Sequence, residues 1–191
     1  MPHNKINFIK TFATDFKVGA ISASSPSLIK NVLQDVGHGM NCIIEYGPGS
    51  GVLTLPLLTR LSPEGKLIAV ETNELFAQKL QTVPDARLSV AQGNVVEYMS
   101  AYVHEIESGT QTPPDLIVSS IPFTMLSREE RSNLIRSTYN ALAPGGTFIV
   151  FHQYTTIANK LIKQQFGRVE TRVELRNVFP CFVIVSKKAV H

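Results

Sequence analysis

Short apolar runs of strand length alternate along this chain with segments that repeat apolar residues at helical spacing. The apolar runs predict seven strands, at residues 41–46, 66–71, 87–91, 115–119, 147–153, 168–175 and 181–187. Four helices are predicted between the first five strands, at residues 53–60, 75–81, 95–107 and 128–141. A start near Thr54 is the alternative for the first helix, because Pro56 deep inside it would remove a hydrogen bond. Strands separated by helices favour right-handed crossovers and a parallel sheet with helices on both faces.

The end of the chain breaks this alternation. Only residues 176–180 separate the last two predicted strands. Because that connection is too short for a crossover, these strands should pair as an antiparallel hairpin. We therefore predict an α/β fold with a Rossmann-like, seven-stranded sheet that is mostly parallel and ends in a C-terminal antiparallel hairpin. Residues 1–191 are predicted to form a single domain, in which residues 1–35 are an N-terminal helical cap.

Composition and charge limit the functional classes. No apolar run approaches the roughly 20 residues that cross a bilayer, and the first residues lack a secretory signal. Cys42 and Cys181 lie in strand-like runs and are predicted to be buried free thiols, so we expect a cytoplasmic protein. The net charge of +3 is uneven, because residues 1–30 and 160–191 are basic and the middle is acidic. Basic ends are typical of a protein that meets an anionic surface.

The strongest chemical signal is the segment IIEYGPGSGV at residues 43–52. Gly47, Gly49 and Gly51 follow a predicted strand, where a ligand would approach the backbone closely. Their spacing is G-x-G-x-G, whereas dinucleotide sites use G-x-G-x-x-G to hold a pyrophosphate. Glu45 would repel phosphates but suits the amino group and sulfonium of a cationic ligand. The charge pattern therefore favours S-adenosylmethionine over NAD as the cofactor.

Two further segments extend the predicted cofactor site. Glu71 ends the second strand, twenty residues after Gly51, where a carboxylate can accept both ribose hydroxyls. Gly93, Asn94 and Val95 follow the third strand and offer an amide and an apolar wall to an adenine. The predicted cofactor residues are Glu45, Gly47, Pro48, Gly49, Gly51, Glu71, Thr72, Gly93, Asn94, Val95 and Ser119. No metal site is predicted.

The segment SSIPF, at the end of the fourth strand, marks the acceptor side. It resembles the Asn-Leu-Pro-Tyr signature of rRNA adenine dimethylases, in which the Asn recognises the base amino group and the Tyr stacks on the flipped base. Ser120 and Phe123 replace those two residues, and we expect this protein to lack the extra helical domain that such enzymes carry after the sheet. We therefore expect no nucleic-acid partner and keep an RNA adenine N-methyltransferase as an alternative.

Nearly the whole chain resembles the bacterial phospholipid N-methyltransferases, a family of class I S-adenosylmethionine-dependent methyltransferases. The similar segments are FIK and Phe12, VGAI, SSP, EYGPGSG, VETN, SSIPF, PGG and RNVFP. The chain departs from the family at Asn94, where an Asp is common, and at Phe179, which replaces the first proline of the final motif. The resemblance implies a seven-stranded methyltransferase fold and methylation of phosphatidylethanolamine towards phosphatidylcholine. A non-catalytic module that binds the cofactor or a membrane is a further alternative.

The same resemblance suggests acceptor-side residues and a partner. Ser120, Tyr154, Arg176 and Asn177 are the candidates, with Arg176 pairing with the lipid phosphate and Asn177 hydrogen-bonding to it. Aromatic faces suit a quaternary headgroup, and four aromatic residues lie near predicted strand ends or in loops at the same edge: Phe123, Phe151, Tyr154 and Phe179. We interpret His152 as a packed or partnered histidine rather than a general base. The expected partner is a phospholipid headgroup at an anionic membrane surface.

A lipid substrate requires contact with a membrane. Ile6, Ile9, Phe12 and Phe16 recur at helical spacing, with Lys10 and Lys17 towards the polar side. We predict that this amphipathic segment lies on the inner face of the membrane, which makes the protein peripheral. The alternative is a helix that packs the same apolar stripe over the sheet.

Overall fold

Helices and strands alternate in the computed structural model, which describes residues 25–153, 157–176 and 180–190. The amphipathic segment at the N-terminus therefore lies outside the described residues. The helices are α1 (Pro26–Leu33), α2 (Thr54–Leu58), α3 (Glu74–Gln81), α4 (Val95–Glu107), α5 (Arg128–Ala141) and α6 (Asn159–Phe166). The strands are β1 (Met40–Tyr46), β2 (Leu61–Glu71), β3 (Leu88–Gln92), β4 (Leu116–Ser119), β5 (Thr147–Gln153), β6 (Glu170–Glu174) and β7 (Cys181–Lys187).

The strands form one seven-stranded sheet in the order β3-β2-β1-β4-β5-β7-β6. Strands β1 to β5 pair in parallel, and β7 runs antiparallel to both β5 and β6. This arrangement confirms the predicted fold, including the C-terminal hairpin. All strands except β7 therefore end at the same side of the sheet, which we call the carboxyl edge.

Two apolar cores form because strand side chains alternate between the two faces of the sheet. On β1, Ile43 packs into the core beneath α1, α2 and α3, whereas Ile44 packs into the core beneath α4, α5 and α6. Both cysteines, Cys42 and Cys181, are buried and free, as the sequence predicts. In the described residues, no helix is long and apolar enough to cross a membrane.

Two helices differ from the sequence prediction. Helix α2 begins at Thr54, which confirms the alternative start; Pro56 then lies in the first turn, where its missing N–H costs no helical hydrogen bond. It ends at Leu58, shorter than predicted. Helix α6 was not predicted, and its N-cap residue, Ala158, has no side chain that could cap the helix.

Side-chain hydrogen bonds fix the ends of other elements near the carboxyl edge. Ser127 and Glu130 form a reciprocal capping box at the start of α5. The buried hydroxyl of Tyr46 is 3.0 Å from that of Thr138, so the end of β1 is held against α5. The loop that follows β1 therefore leaves the sheet from a rigid base.

Candidate cofactor and acceptor site

The glycine loop after β1 is the centre of the candidate site. Gly47, Gly49 and Gly51 have φ angles of +68°, +52° and +79°, in the left-handed region that favours glycine. The Gly51 N–H donates to the Pro48 carbonyl at 2.9 Å, which closes the turn that leads into α2. The glycine pattern of the sequence therefore reflects a backbone requirement.

The two sides of this loop have different surroundings. A Cβ built on Gly47 would lie 2.7 Å from Ile121 Cγ2, in the loop after β4. A Cβ built on Gly49 would meet no protein atom within 4 Å. The loop thus packs against the β4 loop at Gly47 and leaves open space beside Gly49.

Glu71 joins this open side to the end of β2. Its carboxylate accepts hydrogen bonds from the N–H groups of Gly49, at 2.9 Å, and Asn73, at 2.8 Å. The side chain is buried, and its two oxygens have lone pairs beyond those that accept these two hydrogen bonds. Thr72, the next residue, is exposed. Glu71 can therefore accept further hydrogen bonds from a bound polyol such as a ribose.

Glu45 lies beneath the loop rather than beside it. The carboxylate is buried and accepts a hydrogen bond from the Thr54 hydroxyl at 2.7 Å. Burial raises the pKa of Glu45 to about 7, the Thr54 hydrogen bond partly opposes this rise, and the charge of Glu71 adds to it. Glu45 thus supports the start of α2, and its charge depends on pH near neutrality.

The raised pKa of Glu45 predicts that stability falls as pH rises. The folded protein holds this proton up to about pH 7, whereas an ordinary glutamate loses it near pH 4.5. Between these values the unfolded state binds fewer protons, so the free energy of unfolding should decrease by at most about 3 kcal/mol. Urea unfolding of wild type and Glu45→Gln from pH 4.5 to 8 measures this effect.

The difference between the two proteins isolates Glu45. Burial lowers the pKa of His152, which changes stability in the opposite sense in both proteins. We expect the stability of the wild type relative to Glu45→Gln to decline as pH rises. Parallel stability curves would show that Glu45 titrates normally in the folded protein.

The loop after β3 completes the cofactor side. The Gly93 N–H donates to the Glu71 carbonyl at 2.9 Å, so this loop is tied to the end of β2. Asn94 caps α4, and its side-chain oxygen accepts the Val96 N–H at 2.8 Å. The amide nitrogen of Asn94 and a second lone pair of its side-chain oxygen remain for a ligand, and Val95 is largely buried.

On the acceptor side, the β4 loop is tied to the glycine loop. The Ser120 hydroxyl donates to the Gly47 carbonyl at 2.5 Å, and the Ser120 N–H donates to the Tyr46 carbonyl at 3.1 Å. Ser120 therefore holds the two loops together, and its hydroxyl oxygen can still accept a hydrogen bond. Ser119, at the end of β4, is fully buried, and its hydroxyl has no partner among the described residues.

His152 lies below this loop, near the end of β5. Its ring packs edge-on against Phe123, with the ring centroids 6.3 Å apart. The imidazole is buried, and neither ring nitrogen has a hydrogen-bond partner in the described part of the chain. Burial lowers the pKa of His152, which favours the neutral form. The sequence indicated a packed histidine but gave no sign of its two unpaired nitrogens.

Arg176 lies at the carboxyl edge but not beside Ser120. It follows β6, and β5 and β7 lie between β6 and β4. Three strand spacings amount to about 14 Å. The Arg176 side chain is 82% exposed and lies near the buried carboxylate of Glu174. Tyr154, Asn177 and Phe179 lie outside the described residues, so their predicted roles stay predictions.

A protein-family model described as "Methyltransferase small domain" matches residues 9–179. The chain belongs to this methyltransferase family. It is therefore a class I methyltransferase that uses S-adenosylmethionine as the methyl donor.

Individual relatives of this methyltransferase share modest sequence identity with it. An ornithine lipid N-methyltransferase of Singulisphaera acidiphila is 24% identical over 174 residues, which cover 90% of this chain and 88% of that protein. Ribosomal RNA small subunit methyltransferase A of a Burkholderia species is 33% identical over 87 residues, which cover 46% of this chain and 30% of that protein.

A solved structure supports the fold of the methyltransferase. The N-methyltransferase NodS from Bradyrhizobium japonicum superimposes with a TM-score of 0.67 at 13% identity. The match covers 84% of this chain and 92% of NodS.

The residues at the carboxyl edge fit S-adenosylmethionine. The space that a Cβ on Gly49 would enter is open, and the buried carboxylate of Glu71 holds the Gly49 N–H. Glu71, Gly49 and Asn94 belong to neighbouring strands or the loops after them, so the fold brings these predicted residues to one edge. Among the described residues, no group of three His, Cys, Asp or Glu could hold a metal ion.

Sequence reasoning missed two residues that shape this site. Thr54 supports the buried carboxylate of Glu45, and Ile121 fills the space in front of Gly47. The G-x-G-x-G pattern required a close approach at Gly47 but did not identify the approaching residue. That contact depends on the pairing of β1 with β4, which are far apart in sequence.

Proposed function

We propose that this methyltransferase transfers methyl groups to the amine of a lipid headgroup, with phosphatidylethanolamine as the expected acceptor. The observation that carries the proposal is the near full-length similarity to a lipid N-methyltransferase, over 90% of this chain. The match to the ribosomal RNA methyltransferase covers less than half of the chain. Ornithine lipid and phosphatidylethanolamine share the chemistry that matters here, an amine on the headgroup of a lipid.

The acceptor side is compatible with an amine. An ethanolamine headgroup is an ammonium ion at pH 7, and removing its proton costs about 4–5 kcal/mol if its pKa is near that of lysine. Only the neutral amine can attack the methyl group of the bound cofactor. The described side chains at the ends of β4 and β5 include Ser119, Ser120 and a neutral His152. They add no negative charge that would stabilise the ammonium form.

Desolvation can lower the cost of removing the proton from the amine, and positioning can accelerate methyl transfer. A buried site next to the positive sulfonium lowers the pKa of an amine, because both factors disfavour a second cation. The Ser120 hydroxyl can accept a hydrogen bond from the amine while it donates to Gly47. Holding the amine next to the methyl group then accelerates transfer by proximity.

A methyl-transfer assay with competing acceptors tests the proposal. Purified protein and radiolabelled S-adenosylmethionine are incubated with vesicles that contain phosphatidylethanolamine, with ornithine lipid vesicles and with bulk RNA. We expect label in phosphatidylethanolamine, recovered as its methylated forms. Label in ornithine lipid alone would correct the headgroup but keep the lipid amine.

The alternative acceptor has support of its own. The rRNA methyltransferase match and the basic ends of the chain both favour RNA as the second candidate. Label in RNA but in neither lipid would overturn the proposal. Vesicles of phosphatidylcholine, which offer no free amine, are the control for carry-over of label.

A further inference from the structure

Large apolar side chains are exposed along the carboxyl edge. Met125 is 81% exposed in the loop after β4, Ile157 is 42% exposed after β5, and Leu175 is 72% exposed after β6. Because β4, β5 and β6 end at the same side of the sheet, these three residues lie along one edge. We call Met125, Ile157 and Leu175 the apolar rim.

An exposed cation follows each residue of the apolar rim. Arg128, Lys160 and Arg176 come three, three and one residues after Met125, Ile157 and Leu175, and all three are exposed. Glu129 is also exposed at the start of α5, and Arg176 pairs with the Glu174 carboxylate at 3.4 Å, so the rim is not uniformly basic. An apolar tip beside a cation suits the interface of an anionic bilayer, where the tip enters the acyl region and the cation meets headgroups.

The form of the rim fits a membrane better than a protein. Its residues are spread over three strand spacings, about 14 Å, on separate loops rather than in one contiguous patch. Protein interfaces are built around a contiguous, well-packed core. A fluid bilayer, in contrast, can receive separate side chains at once.

The rim also borders the entrance to the reaction site. The open space beside Gly49 and the acceptor loop at Ser120 both lie at the carboxyl edge. A lipid headgroup must therefore approach from this side. We propose, resting on the lipid substrate proposed above, that the apolar rim docks on an anionic membrane and turns the site towards the headgroups.

Single tryptophan variants test the docking surface directly, because the chain contains no tryptophan. M125W and L175W each place one indole on the rim. V190W is the matched control, because Val190 is 79% exposed but lies at the opposite edge of the sheet. It follows β7, and the last residue of β7 pairs with the first residue of β5. Vesicles of phosphatidylglycerol and phosphatidylcholine, without an amine lipid, are added at low salt.

We expect the fluorescence of M125W and L175W to shift to the blue when vesicles are added, and that of V190W to stay unchanged. A shift for V190W without a shift at the rim would overturn the proposal, as would absence of vesicle binding by the wild type. A blue shift that increases with protein concentration in the absence of vesicles would identify the rim as a contact between copies of the chain. That outcome would also overturn it.

A charge variant gives a second, quantitative test. The double variant M125D/L175D should bind the same vesicles at least about tenfold more weakly than the wild type. V190D should bind like the wild type. Binding of S-adenosylmethionine checks that each variant is folded. If M125D/L175D does not fold, the double variant M125S/L175S is measured in its place. Wild-type affinity in the folded double variant would reject the rim.

These readouts separate docking from catalysis. Vesicle binding is measured without any acceptor, so it does not depend on the identity of the substrate. If the proposed lipid substrate is wrong, no lipid is labelled, but the rim can still bind vesicles. If the rim proposal fails, water-soluble short-chain phosphatidylethanolamine is still methylated while the rim tryptophans do not respond to vesicles.

Discussion

Replacing Glu71 with alanine is expected to weaken the binding of S-adenosylmethionine by about 100-fold, because two charge-assisted hydrogen bonds to the ribose would be lost. The same carboxylate also holds the N–H groups of Gly49 and Asn73. Its removal would therefore loosen the glycine loop as well as remove a ligand contact. Isothermal titration calorimetry of both proteins measures the change.

A substitution on the same strand provides the control. Glu64 is an exposed residue near the other end of β2, so Glu64→Ala should bind the cofactor like the wild type. Glu71→Gln keeps one acceptor oxygen and should fall between wild type and Glu71→Ala. If Glu71→Ala stays folded and binds with wild-type affinity, the ribose role of Glu71 is wrong.

The second large effect is expected at Gly47. An alanine there would adopt a left-handed φ of +68° and place its Cβ 2.7 Å from Ile121. Backbone strain costs about 1–2 kcal/mol and overpacking about 1–3 kcal/mol, so Gly47→Ala should lose roughly 2–5 kcal/mol of stability. It should also push the acceptor loop away from the glycine loop and reduce methyl transfer strongly.

Gly49→Ala is the matched variant for this prediction. It carries similar strain, with a φ of +52°, but its Cβ would enter open space. We expect a loss of only about 1–2 kcal/mol of stability, together with weaker cofactor binding. Urea unfolding and calorimetry separate the two effects. Equal stability losses for both variants would show that the contact with Ile121 is unimportant.

Most of the fold could be predicted because the local sequence patterns favour the same strands, helices and turns that the sheet requires. Each buried parallel strand is a short apolar run, and capping residues or glycines mark the adjoining turns, as at Ser127. Helix α6 was missed because Ala158 gives no capping signal at its start. Strand order also places Arg176 three strands away from Ser120, a separation that spacing along the sequence does not reveal.

The candidate site was predictable in composition but only partly in arrangement. The glycines and Glu71 follow strands that end at one edge, so their proximity follows from the topology. The burial of Glu45 against Thr54 and the bond from Ser120 to Gly47 depend on long-range packing. Glu45 and Ser120 thus also support the loop, a role that the sequence motif does not reveal.

Isothermal titration calorimetry of the wild-type protein with S-adenosylmethionine and with NAD tests the cofactor assignment most directly. The open glycine loop and its adjacent carboxylate predict that the pure protein binds S-adenosylmethionine at one site and does not bind NAD. Tight binding of NAD by folded protein, with no binding of S-adenosylmethionine, would contradict this assignment.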